Sequence, residues 1–122
     1  MITDERKLIL TLNYPPSVNH YWLSHDKHRF LSQKARDFRA HVIESMPFNW
    51  EPFTGRLQLY IESFAPDRRI RDLDNQLKCI GDSLEHAGAY LNDNQIDKLT
   101  IIRKGVIPRE GKIIITLETL CA

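Results

Sequence analysis

The sequence predicts an α+β fold: one mixed sheet of about four strands in the order β-α-β-α-β-β, with two helices partly covering it. Strands are indicated by segments whose leucines and isoleucines recur at every second residue, helices by segments with the spacing of helical turns. No internal repeat, low-complexity tract or linker divides the chain, so residues 1–122 are expected to form a single domain.

Leu8, Leu10 and Leu12 alternate with Lys7, Ile9 and Thr11, which predicts a half-buried strand over 6–13. Tyr14-Pro15-Pro16 ends it, because proline cannot donate to a ladder. Ser17 to Leu31 shows no sustained period and reads as a surface loop or an irregular hairpin. Ser32 is a suitable N-cap, and Ala35, Phe38, Val42 and Met46 mark a helix that Pro47 stops. Alternation returns with Leu57, Leu59 and Ile61 in a strand running to about Phe64. Asp74 is then placed to cap a second helix, with Leu77, Ile80, Leu84 and Ala87 on its apolar side and Gly88 near its end. Leu99 and Ile101, then Ile113, Ile115 and Leu117, form two further runs, separated by Pro108-Arg109-Glu110-Gly111. They read as a closing antiparallel hairpin, while the pairing of the earlier strands stays open.

Composition narrows the function classes. Hydrophobic residues make up 42% and charged residues 27%, which suits an ordinary globule and not a disordered chain. With 17 Lys+Arg against 16 Asp+Glu there is no acidic tail and no polybasic arm, so any contact with nucleic acid must rest on local clusters. No stretch approaches the roughly 18 consecutive apolar residues of a membrane span, and charges follow Met1 closely, so a cytoplasmic protein without membrane partners is expected. Cys79 and Cys121 follow no metal-binding or disulfide spacing, in keeping with a reducing compartment.

The densest polar segment, Pro66-Asp67-Arg68-Arg69-Ile70-Arg71-Asp72-Leu73-Asp74-Asn75, falls between a predicted strand and a predicted helix. In extended backbone Asp72 and Asp74 project to one side while Leu73 projects to the other, and paired carboxylates suit a hard divalent cation. Asp93, in the turn after the second helix, would add a third acid if the fold brings it near. Arg68, Arg69, Arg71 and Lys78 interleave with these acids, and cations beside metal-binding carboxylates suit a phosphodiester. The same residues also admit structural roles: Asp74 as an N-cap, Asp72 as a partner for Arg71, and Lys78 in an i,i+4 pair with Asp74 or Asp82. Lys27, Arg29, Lys34, Arg36 and Arg39 suit either phosphates or a solvated helix face, and the five histidines show no metal-site spacing. Trp22, Trp50 and Tyr90 fit packing better than base stacking, and Cys79 lacks a partner that would make it a nucleophile.

Asp72-Leu73-Asp74-Asn75 followed by Lys78, then Leu91-Asn92-Asp93 with Gln95, resembles the RusA family of Holliday junction resolvases, as does Tyr14-Pro15-Pro16-Ser17-Val18-Asn19. The resemblance implies a RusA-like fold in which Asp72, Asp74 and Asp93 bind a catalytic metal, and Lys78 serves catalysis. It also implies a place for Asn19 on the functional surface. Two departures stand out: Ile70 interrupts what can be a longer arginine run, and Asn92 stands where relatives can carry a further acid.

Together these readings lead to the expectation of an Mg²⁺-dependent, structure-selective endodeoxyribonuclease, with Mn²⁺ as a possible substitute, acting on four-way DNA junctions by paired symmetric cuts in recombination and repair. Arg68, Arg69, Arg71, Lys78 and Asn19 are its candidate DNA contacts. Two opposed cuts call for two acid clusters, hence a homodimer. The alternative is a noncatalytic DNA-binding or assembly module in which the aspartates only cap and pair.

Overall fold

The computed structural model describes residues 4–26 and 28–120; Lys27 and Cys121, considered above, lie outside them. The order along the chain is β1 (Lys7–Leu12), β2 (Trp22–His25), β3 (His28–Leu31), α1 (Gln33–Ser45), β4 (Leu57–Ala65), α2 (Leu77–His86), β5 (Ile96–Val106) and β6 (Lys112–Thr119). Short 3-10 turns lie at Val18–His20, Leu73–Gln76 and Asp93–Gln95. The fold is α+β, with a mixed four-stranded sheet and a separate two-stranded ribbon.

Alternation in the sequence becomes a two-faced sheet. Leu8, Leu10 and Leu12 of β1, Leu57, Leu59 and Ile61 of β4, and Ile113, Ile115 and Leu117 of β6 are all buried. They meet Ala35, Phe38 and Val42 of α1 and Cys79, Ile80 and Leu84 of α2 in one apolar cluster. Helix α1 begins as its sequence requires: Ser32 Oγ accepts from the Ala35 N–H at 3.1 Å and donates to the His20 carbonyl at 2.5 Å, so one hydroxyl caps the helix and ties it to the preceding loop.

The sheet order is β1-β6-β4-β5. β6 is antiparallel to both β1 and β4, whereas β4 and β5 are parallel. The last two strands are therefore not a hairpin, contrary to the reading of Pro108–Gly111 as a closing turn. The connection crosses the end of β4 instead, with Ile107 N–H donating to Ala65 O and Arg109 N–H to Pro66 O, each at 2.9 Å. Gly111 is needed in that crossing: its φ is 63°, and an added Cβ would come within 2.9 Å of the Phe64 carbonyl oxygen. A turn signal reports that the chain reverses and says nothing about which strand it reverses beside.

Further differences are local. Ser17–Leu31, read as loop or irregular hairpin, contains the β2–β3 ribbon, with Trp22 opposite Leu31 and His25 opposite His28. β5 is longer than its two apolar markers suggested, and Leu99 is 46% exposed, because β5 is an edge strand flanked only by β4. Asp74 does not cap α2: it lies inside the 3-10 turn Leu73–Gln76 that leads into the helix. Among the described residues, no helix is long and apolar enough to cross a membrane.

Candidate active site

The loop from Pro66 to Asp72 leaves the end of the inner strand β4 and is held from several sides. Pro66 O accepts from the Arg109 N–H of the crossing connection. Asp67 Oδ1 accepts from the Arg69 N–H at 2.9 Å and from the Arg71 guanidinium at 2.6 Å. The Arg71 carbonyl accepts from Arg103 of β5 at 2.6 Å, and its guanidinium lies 5.8 Å from the centre of the Tyr14 ring. The Arg71 guanidinium holds the Asp67 carboxyl well below the usual carboxylate range, down to about 2, with the Arg69 N–H adding to the effect. Asp67 was not among the residues singled out from sequence, although its i,i+4 relation to Arg71 was there to be read.

Behind this loop, the buried Gln76 accepts from Ser63 Oγ of β4 at 3.1 Å, fixing the 3-10 turn against the sheet. Asp72 and Asp74 are exposed on that turn and its entry. Asp72 makes no cap hydrogen bond with its side chain, and its neighbour Arg71 pairs with Asp67. Among the described residues, none of the ion pairs uses Asp72, Asp74 or Asp93. The structural roles weighed for the first two acids, cap and arginine partner, are thus not the ones they occupy. Lys78 does take its structural option, pairing at 3.4 Å with Asp82, whose side chain is only 17% exposed.

Asp93 opens the turn after α2, and a buried glutamine sets its position. Gln95 Oε1 accepts from the N–H groups of Leu91 and Asn92 at 2.8 and 2.9 Å, while its Nε2 donates to the carbonyls of Phe53 and Gly55. Asn92 completes a capping box, and the Asp93 N–H donates to Glu85 of α2 at 2.8 Å. Asp93 lines a shallow apolar depression together with Leu77 and Gly81 of α2. Tyr90 donates to the Gly81 carbonyl at 2.7 Å; burial, with Asp93, Glu85 and Asp82 close by, pushes its hydroxyl far above the usual range.

An open cleft of about 510 Å³ brings Asp72, Asn75, Arg69 and Arg71 together with Asn19 and Lys34. Arg68 lies on the other side of the loop, in a depression shared with Asp67 and Arg103. Asn19 is therefore placed beside the acid loop, whereas Asp93 is outside that cleft, with its N–H bonded to Glu85 and with Leu77 and Gly81 of α2 as its neighbours. Among the described residues, no three carboxylate, imidazole or thiol groups converge closely enough to hold a metal ion as the chain stands. The donor chemistry suits a hard divalent cation: exposed carboxylates without a cationic side chain bound to them.

Several other candidates make contacts within the chain. Arg39 donates to the buried Tyr21 hydroxyl at 2.9 Å. Arg36 bonds Gln33, and Arg29 stacks over Trp22. Tyr90 is core, and Trp50 packs edge-on against Phe53. Burial pushes the Cys79 thiol up to about 12, in keeping with an inert side chain.

Along the open cleft the guanidinium groups of Arg69 and Arg71 stand beside the carboxylate of Asp72, a pairing that suits a phosphodiester. The family model described as Endodeoxyribonuclease RusA matches residues 13–118, and the chain belongs to that family. It is 38% identical over 113 residues to a crossover junction endodeoxyribonuclease of Enterobacteria phage HK97, covering 89% of this chain and 94% of that protein. A protein of the same name from Escherichia coli K12 is 30% identical over 114 residues, covering 91% and 93%. One from Enterobacteria phage 82 is 29% identical over 113 residues with the same coverage.

Proposed function

We propose that this chain resolves Holliday junctions in recombination and repair, cutting two opposed strands symmetrically as an intracellular homodimer, with Mg²⁺ as the metal and Mn²⁺ able to replace it. The observation that carries this reading is the cleft in which Asp72 stands beside Arg69, Arg71 and Asn19 on a loop fixed between β4 and α2. Asp72, Asp74 and Asp93 are the residues that would hold the metal, and since no three such groups converge among the described residues, they would have to draw together on binding it. When bound, Mg²⁺ supplies a more acidic water and neutralises charge on a phosphate oxygen.

The chain's own residues do the rest. Arg69 and Arg71 hold the phosphate backbone, and Asp67 keeps the Arg71 fork oriented at 2.6 Å so that it need not be ordered on binding. Lys78 faces Asp82 at rest and exchanges that contact for the scissile phosphate or its leaving oxygen. Asn19 donates from the opposite wall of the cleft, and Arg68 extends the cationic surface beyond it. Each chain carries one such set of acids, so two opposed cuts take two chains related by a two-fold axis. With contacts mainly to the backbone, binding falls steeply with salt.

The test is cleavage of an end-labelled four-way junction with Mg²⁺, alongside linear duplex and the Asp74→Asn protein. Paired symmetric nicks on the junction alone are expected, abolished in Asp74→Asn while junction binding persists. Binding without cutting by the unaltered chain would leave the noncatalytic module instead.

A further inference from the structure

Ile70 is fully exposed, at 100% of its accessible surface, in the middle of the cationic loop. It is the most exposed of the large apolar side chains among the described residues, and it stands between two arginines. The residues on either side are tied down: Asp67 accepts from the Arg69 N–H and from the Arg71 guanidinium, and Arg103 holds the Arg71 carbonyl. The side chain is therefore carried on a braced support, next to Arg69 and Arg71 and two residues ahead of Asp72, with which it lines the same cleft.

We propose that Ile70 is an apolar wedge that enters the base stack at the branch point of the junction while the adjacent arginines hold the flanking phosphates. The inference rests on the junction-resolving reading given above. A branched aliphatic group has no donor for a phosphate or a sugar, and the apolar surface DNA offers it is chiefly the faces of the bases. In continuous duplex those faces are stacked on one another. At a branch point the stack is interrupted, so opening a step there costs least. β-Branching also leaves Ile70 few rotamers, which limits the freedom it loses on insertion. An arginine at this position would add another phosphate contact and no wedge, so Ile70 trades backbone affinity for recognition of the opened step.

The test uses four-way junctions with 2-aminopurine either at the branch point or in the middle of one arm, bound at saturating protein with EDTA so that no strand is cut. Fluorescence of the branch-point probe is expected to rise severalfold with the unaltered chain, while the mid-arm probe stays unchanged. In Ile70→Ala the rise is lost, in Ile70→Leu it is kept, and with Mg²⁺ the alanine protein cuts the junction about tenfold more slowly. Circular dichroism checks that both variants fold, which full exposure of the side chain leads one to expect. If the unaltered chain binds and cuts the junction yet gives the same probe signal as Ile70→Ala, the wedge is overturned and the resolvase reading stands. If the chain neither binds nor cuts the junction, both fall.

Discussion

Asp67 shows how one carboxylate can organise a functional loop without touching a substrate. It accepts from the backbone of Arg69 and the side chain of Arg71, and its folded pKa, about 2, lies below the ordinary carboxylate value of 3.8. A depressed carboxylate favours the folded arrangement fully above its unfolded pKa, and that contribution is lost as pH falls through the folded value. The bracing of the loop is therefore expected to be complete at neutral pH and to fade between about 4 and 2. An NMR titration of the Asp67 carboxyl checks this directly, and in Arg71→Ala its midpoint moves up toward the ordinary value. From the sequence, Asp67 was passed over in favour of Asp72 and Asp74 because spacing reveals which residues can meet but not which partner Arg71 selects.

At the scale of elements, the turn Asp93–Gln95 depends on a side chain that behaves like a piece of backbone. Gln95 satisfies two N–H groups and two carbonyls at once, replacing a strand partner for Leu91, Asn92, Phe53 and Gly55. Gln95→Leu keeps the volume and leaves those groups unpaired, with an expected loss of about 3 kcal/mol in urea unfolding and a larger proportional loss of cleavage than of binding. The regular elements were legible because burial imposes period on sequence: every core leucine and isoleucine named for β1, β4 and β6 faces inward. Element ends were less so. Asp74 has the chemistry of an N-cap, but the chain tightens into a 3-10 turn first, since Gln76 is drawn inward to Ser63. The resemblance was carried by short motifs, and these do survive as local structures: the acid loop that leads into α2 and the Asp93 turn that follows it.

For the molecule as a whole, strand order was the part the sequence did not disclose. Alternation says that a strand has a buried face, and it is silent on which neighbour each edge receives. β6 has a fully buried apolar inner face, Ile113, Ile115 and Leu117 all at 0% exposure, and it sits between β1 and β4. Ile115→Ala is expected to cost about 3 to 4 kcal/mol, read by urea unfolding, because helices on one side and flanking strands on the other leave little room for the cavity to collapse. The site needed the fold for a similar reason. That Asn19 shares a cleft with Asp72 follows from how the segment after β1 packs near the end of β4, a relation no local pattern encodes.

The position of β6 also bears on how the protein is made. Of the strands among the described residues it is the last to leave the ribosome, yet it fills the gap between two strands synthesised before it, with Lys7 of β1 paired to Glu118. Until it arrives, β1 has no partner in the sheet and β4 has only a parallel neighbour, so the nascent chain cannot close its core from the front end onward. Assembly of the sheet consequently waits for β6, and the loops mounted on β4 take up their final places only once that strand has emerged.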